Sequence, residues 1–199
     1  MLDLRQFPRT DSDYLAQIKK MSADLGLDVA ALSDDAFFAH DAREMEATLR
    51  IAGAIGAPLL AGRLALETAV AWSRQLAHIN DATGLAKAAN ITLAVRNAPQ
   101  TFAATSHDCK RVSKEADSAW LRFGVEPGAF DGASDVAAIA EKAVLLWREV
   151  DEEPTFAGWE HFRGYVALDA HAGTASLDEM QSAMRRWRIA QAESVLNRT

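Results

Sequence analysis

Short apolar runs recur along this chain at intervals of 21 to 32 residues, and no other feature constrains the fold as strongly. The runs begin at positions 2, 29, 59, 91, 120, 144 and 165. About 30 residues is the length of one strand-and-helix unit in a parallel sheet. The spacing therefore predicts seven parallel strands.

The segments between the runs have the periodicity of helices. Apolar residues recur every three or four positions, which places them on one face. At the start of the first of these segments Asp11 or Ser12 can cap the helix, and Gly26 follows its last apolar position. No linker or shift of composition divides the chain, so residues 1–199 are expected to form one domain. The predicted helices span 12–25, 45–55, 67–89 (with a break) and 177–196.

Alternating strands and helices are compatible with a doubly wound open sheet or with a (β/α)₈-type barrel. A doubly wound sheet that binds a nucleotide usually carries a glycine-rich turn after its first strand. Here Leu4 is followed by Arg5-Gln6-Phe7-Pro8-Arg9, which contains no glycine. We therefore predict an α/β fold of the TIM-barrel type with about seven parallel strands, that is, an incomplete (β/α)₈ barrel.

The composition argues against several classes of protein. The 21 Lys and Arg residues against 28 Asp and Glu give a net charge of −7, so no nucleic-acid partner is expected. The apolar runs are far shorter than the roughly 20 residues that span a bilayer, so no membrane segment is expected. Residues 1–9 lack the apolar core of a signal peptide, which predicts a cytoplasmic protein. A single cysteine, Cys109, excludes a disulfide within the chain.

Side chains alternate along a strand, and the last inward residue lies at the C-terminal mouth where barrel enzymes carry out chemistry. On four of the strands this alternation predicts small residues at the middle inward position. These are Ala61, Ala94, Gly124 and Ala167. On the same strands it predicts charged residues at the mouth. These are Arg63, Arg96, Glu126 and Asp169.

Charged groups at a mouth need partners, because burying an isolated charge is costly. The four groups could neutralise one another as a salt-bridge network. Alternatively, the arginines could hold a carboxylate, a phosphate or the hydroxyl groups of a small metabolite. A metal site is less favoured, because arginine is not a ligand and repels a cation. The candidate substrate-binding residues are Arg5, Arg63, Arg96, Asn97 and His171.

Four segments carry a family resemblance: AKAANITLAVRN at 86–97, AGAIGAP at 52–58, FGVEPGA at 123–129 and GYVALDAH at 164–171. They resemble the xylose isomerase-like TIM barrels, a superfamily that includes sugar-phosphate isomerases and epimerases and endonuclease IV-type enzymes. The resemblance implies that the first run matches the family's second strand and that the usual first βα unit is lacking. Residues 2–5 and 165–169 would then be open edges, and a homodimer that covers them is a hypothesis.

The resemblance also implies a metal held by Glu, Asp, His and Glu on the last four strands. The matching positions here are Arg96, Glu126, Trp147 or a neighbour, and Asp169. Two carboxylates beside an arginine would hold Mn²⁺ or Mg²⁺ only weakly. We therefore expect a degraded form of the family's metal site, with either no cofactor or a weakly bound Mn²⁺ or Mg²⁺.

The expected function is to bind or isomerise a small polar, anionic, sugar-type metabolite at the mouth. Glu126 and Asp169 are the candidate catalytic residues for moving a proton next to a carbonyl. Arg63 and Arg96 would anchor the substrate or stabilise an enolate-like oxygen. The alternative is a non-catalytic paralogue that binds a ligand or a partner subunit.

Overall fold

The computed structural model describes residues 1–130, 136–159, 162–169 and 175–196. The strands are β1 (Leu2–Asp3), β2 (Leu32–Ser33), β3 (Leu59–Arg63), β4 (Thr92–Arg96), β5 (Leu121–Val125), β6 (Ala143–Glu149) and β7 (Tyr165–Asp169). The helices are α1 (Ser12–Asp24), α2 (Ala42–Ile55), α3 (Trp72–Ala89), α4 (Ser106–Ala116), α5 (Ala137–Ala140) and α6 (Leu177–Leu196).

The seven strands form one sheet in the order β1 to β7, and every neighbouring pair is parallel. The sheet curls with helices on its outer face, so the prediction of an incomplete α/β TIM barrel is confirmed. β1 and β7 are the two edges of the sheet. All the C-terminal strand ends therefore meet at one mouth.

Capping interactions determine where the helices begin. α1 starts after Asp11, whose carboxylate accepts a hydrogen bond from the Tyr14 N–H at 3.0 Å, as predicted. α2 starts three residues before the predicted position, because Asp41 and Glu44 form a reciprocal capping box. None of the helices in the described ranges is long and apolar enough to cross a bilayer.

The prediction that α3 begins near Glu67 and contains a break is wrong. Leu66 forms an antiparallel bridge with Thr101, and the Glu67 N–H donates to the Gln100 carbonyl at 3.0 Å. These pairings hold the chain extended, so the helix cannot begin until Trp72. From there α3 runs without interruption to Ala89.

The core has two layers separated by the sheet. The outer layer packs the helices against the sheet and contains most of the large apolar side chains. The inner layer lies within the curl of the sheet and is smaller; its buried members are Ala31, Leu59, Ala61, Ala94, Leu145 and Trp147. Ala61 and Ala94 were predicted to point inward, and Ala167, also predicted there, packs against this cluster. Small inward residues leave space inside the curl.

The connection from β6 to β7 packs through aromatic side chains. Phe156, Trp159 and Phe162 are buried, and Phe156 lies edge-on to Trp187 of α6 with 5.6 Å between ring centroids. The described residues of this connection include no helix. The aromatic cluster instead holds α6 near the last two strands, which places this helix beside the β7 edge.

Candidate active site

Two of the predicted mouth residues form an ion pair. Arg96 is the last residue of β4, and Glu126 follows the end of β5. An Nη atom of Arg96 donates to a carboxylate oxygen of Glu126 at 2.7 Å. The guanidinium carbon also lies 4.8 Å from the centroid of the Trp147 ring, which is a cation–π distance. Side chains from β4, β6 and the end of β5 therefore fix this guanidinium in place.

Gly124 makes this arrangement sterically possible. A Cβ atom at this position would overlap the Trp147 ring. Gly124 is also the register partner of Arg96 across the β4–β5 pair, and the β5–β6 pairing is irregular between Phe123 and Gly124. The indole therefore packs against bare backbone, beneath the guanidinium.

Asn97 fixes the backbone of Glu126. Its amide nitrogen donates to the Glu126 carbonyl at 2.9 Å, and the Glu126 N–H donates to its amide oxygen at 2.8 Å. Asn97 is only 1% exposed. These contacts make it a positioning residue for Glu126 in this structure, whereas the sequence had indicated contact with a substrate.

Asp169 lies at the mouth end of β7, beside Glu149 at the end of β6. The two residues are register partners, so their Cα atoms are neighbours across the sheet. Both line a cavity of about 190 Å³ together with Arg96, Glu126 and Trp147. One small space is thus bordered by four carboxylates, those of Glu126, Glu149, Glu152 and Asp169, and by the guanidinium groups of Arg96 and Arg148.

Sequence reasoning missed Glu149, because the apolar run of β6 was read as ending at Trp147. The strand continues two residues further, and Trp147 is already an inward residue. If the alternation of inward and outward side chains had been continued from Trp147, it would have placed Glu149 inward at the mouth. Trp147, which the resemblance matched to a metal-ligand position, lines the cavity with an aromatic ring.

A larger cavity of about 630 Å³ opens between the two edges of the sheet, beside α6. Arg96, Trp147 and Asp169 line this cavity as well as the smaller one. The two spaces therefore meet at these three residues, which form the centre of the candidate site.

Arg5 lies at the rim of the larger cavity. Its guanidinium donates to the Asp3 carboxylate at 2.6 Å, and its side chain is 72% exposed. The hydrogen bond from the Arg5 side chain holds the pKa of Asp3 below its ordinary value, against the opposing effect of partial burial. Asp3 lines the same cavity and was not predicted.

Arg63 lies apart from these cavities. It is the register partner of Arg96, but its Nε lies 3.5 Å from the Asp35 carboxylate, and neither cavity described above includes it among its lining residues. The neighbouring Asp34 is buried and lies 2.9 Å from the ring of His40. His171 falls outside the described residues.

Cys109 is enclosed in the outer core. Positive side chains beside a thiol can lower its pKa, and Lys110 and Arg111 follow Cys109 in the chain, but the structure indicates the opposite. Burial, reinforced by the negative charge of Asp108, raises the pKa of the thiol from 9.0 to about 12. The thiol is therefore protonated and unreactive at neutral pH.

Comparison with solved structures identifies the fold. No family model matches the sequence, and no curated protein matches it significantly. A D-psicose 3-epimerase from Clostridium cellulolyticum H10, solved with D-tagatose, is 11% identical over 94% of this chain and 87% of its own, with a TM-score of 0.75. The chain folds as a xylose isomerase-like TIM barrel.

Two further barrels support this conclusion. An L-ribulose 3-epimerase is 16% identical over 92% of this chain and 80% of its own, with a TM-score of 0.68. A xylose isomerase-like TIM barrel protein from Mycobacterium smegmatis, in complex with magnesium, is 11% identical over 92% of this chain and 79% of its own, with a TM-score of 0.67. At such identities the likeness concerns the fold.

The described residues around Arg96 bear on the metal that the family resemblance implies. Within them, no group of three His, Cys, Asp or Glu side chains could hold an ion. Arg96 ends the strand where the family supplies its first carboxylate, and its guanidinium takes up the Glu126 carboxylate. A divalent cation beside Glu126 would face this positive charge.

Proposed function

We propose that the mouth pocket binds a small polyhydroxylated, sugar-type metabolite and exchanges a proton next to its carbonyl group without a bound metal. The observation that carries this proposal is the shared border of the two cavities. There the Arg96 guanidinium, the Trp147 ring and the Asp169 carboxylate lie together. Polar side chains that can hydrogen-bond hydroxyl groups, placed beside an aromatic ring, suit a sugar-type ligand.

The chemistry needs one group to remove a proton and one to return it. Glu126 and Asp169 both line the smaller cavity, at the ends of β5 and β7, and β6 lies between these two strands. One carboxylate removes the C–H proton next to the carbonyl, and the other, protonated, returns a proton to the resulting enediolate. Substrate and product differ only in where that proton sits, so the reaction is redox-neutral and needs no co-reactant.

The test is proton exchange with solvent. The EDTA-treated protein would be incubated in D₂O with L-ribulose, D-psicose or D-tagatose, and deuterium on carbon would be followed by NMR. We expect exchange in at least one ketose. Exchange should fall by about 100-fold or more in Glu126→Gln and in Asp169→Asn.

Matched controls are available on exposed helical positions. Glu46→Gln on α2 and Asp81→Asn on α3 make the same chemical changes far from the mouth, and should leave exchange unchanged. Absence of exchange with every ketose would contradict the catalytic proposal. Exchange only after addition of Mn²⁺ would contradict its metal-free form.

One observation favours a second candidate, a protein that binds the metabolite without converting it. The Glu126 carboxylate already accepts a hydrogen bond from Arg96 at 2.7 Å, so one of its oxygens is occupied before any substrate binds. In this case a ketose would bind, as measured by calorimetry, and Asp169→Asn would weaken binding. No deuterium would enter the sugar.

A further inference from the structure

Arg96 is held from several directions, yet one of its donors is unused. Its side chain is 16% exposed, one Nη bonds to Glu126, and the Trp147 ring lies beneath the guanidinium. The Nε atom is buried and has no hydrogen-bond partner. A buried unpaired donor costs about 1–3 kcal/mol, and the exposed part of the side chain borders the two cavities.

We infer that the Arg96 guanidinium is the fixed cation of this site and binds the ligand oxygen on which negative charge develops. This inference rests on the proposed function. Removing a proton next to a carbonyl converts the carbonyl oxygen into an enolate oxygen, whose charge needs a preorganised partner. The partly exposed guanidinium of Arg96 supplies N–H donors and positive charge at the meeting point of the two cavities.

The position of Arg96 suits this role because its guanidinium is held in place. Glu126 is its hydrogen-bonded partner, and the neighbouring arginine in register, Arg63, pairs with Asp35 instead. The Arg96 side chain cannot swing away, since Trp147 is itself packed against the bare backbone of Gly124.

Arg148 provides an instructive comparison. It also has a buried Nε without a partner, and it also lies over an indole, that of Trp187 in α6. Its Nη atom bonds to Glu152, and it borders only the smaller of the two cavities. Arg96 borders both cavities, so its guanidinium, rather than that of Arg148, lies where a ligand in either space would contact it.

The first test uses Mn²⁺ alone, because a fixed guanidinium and a divalent ion compete for the same carboxylates. Calorimetry on the EDTA-treated wild type should show no binding at millimolar Mn²⁺. Arg96→Glu should gain binding, because it replaces the cation by a further carboxylate near Glu126 and Asp169. The gain should vanish in the double variant Arg96→Glu, Asp169→Asn. Arg43→Glu, an exposed change on α2, should gain nothing.

The second test measures deuterium exchange into the ketose used above. Arg96→Gln should lower the rate by about 100- to 1000-fold, whereas Arg96→Lys, which keeps the charge, should retain part of it. Arg43→Gln is the matched control. Thermal unfolding by circular dichroism verifies that each variant is folded, and Arg96→Lys keeps the experiment informative if the glutamine variant is not.

The outcomes separate this inference from the proposed function. Exchange in Arg96→Gln at the wild-type rate would overturn the inference and leave the proposed function standing. Mn²⁺ binding by the wild type that is lost in Asp169→Asn would overturn it too, as would the absence of any gain in Arg96→Glu. Absence of exchange in the wild type would overturn the proposed function, while the Mn²⁺ measurements would still decide whether Arg96 is the cation of the site.

Discussion

Gly124 lies directly against the Trp147 ring on the inner face of the sheet. We predict that Gly124→Ala lowers the free energy of unfolding by about 1–3 kcal/mol, because the added methyl group overlaps a ring that has no room to move. Urea unfolding measures the change. Gly84 lies within α3, and the methyl group added by Gly84→Ala would meet no atom within 4 Å. It should raise stability by about 0.5–1 kcal/mol. Equal effects at the two positions would contradict the packing described.

Cys109 allows a prediction about pH. Burial raises the pKa of its thiol from 9.0 to about 12, so the folded protein should resist alkylation by iodoacetamide at pH values where the urea-unfolded chain reacts readily. A group whose pKa is raised by folding contributes stability below its unfolded pKa. This contribution should therefore be lost as the pH rises from 9.0 through about 12. Cys109→Ser should flatten the decline in that range. Rapid alkylation of the folded protein would contradict the enclosed position.

At the scale of elements, the beginning of α6 has a capping box. The Ser176 N–H donates to the Glu179 carboxylate at 2.6 Å, and the Glu179 N–H donates back to the Ser176 hydroxyl at 3.3 Å. We predict that Ser176→Ala lowers the free energy of unfolding by about 0.5–2 kcal/mol. Ser73→Ala, an exposed change in α3, is the control and should have little effect.

The same capping box makes α6 sensitive to acid. Hydrogen bonds from the Ser176 N–H and hydroxyl hold the pKa of Glu179 below its ordinary value of 4.5. A lowered pKa stabilises the folded state above the unfolded pKa, and this contribution disappears as the pH falls below about 4.5. Ser176→Ala should therefore lose less stability than the wild type on acidification. A parallel decline in both proteins would contradict the box.

At the scale of the whole molecule, the sheet has two edges, β1 and β7, and the larger cavity lies between them. Met180 and Met184 of α6 line this cavity and remain partly exposed, at 37% and 43%. Unpaired strand edges beside exposed apolar side chains favour association. We predict that a second copy of the chain covers this region and that the protein sediments as a dimer at micromolar concentration.

A substitution in α6 tests the location of this contact. Met184→Glu places a charge inside the covered region and should shift the protein to a monomer. Ile189→Glu lies on the same helix but outside the lining of the cavity, and should not. A wild-type monomer in sedimentation velocity would contradict the dimer. A dimer unaffected by Met184→Glu would place the contact elsewhere.

Local patterns in the sequence determined the elements and the direction of their side chains. The recurrence of apolar runs predicted the seven strands, because each strand and its helix repeat with a nearly constant length. Alternation along β4 and β5 predicted Arg96 and Glu126 at the mouth, because a strand turns successive residues to opposite faces. Where tertiary pairing overrode the local pattern, as at the start of α3 beside Thr101, the prediction failed.

The tertiary structure alone decided which charges meet. Arg63 and Arg96 have the same local pattern, and nothing in it indicated that one would pair with Asp35 and the other with Glu126. Those choices depend on the curl of the sheet, on the Trp147 ring against Gly124 and on the length of β6. The physical reason is that periodicity acts over a few bonds, whereas ion pairs and cavities form between side chains that the sequence keeps about 30 residues apart.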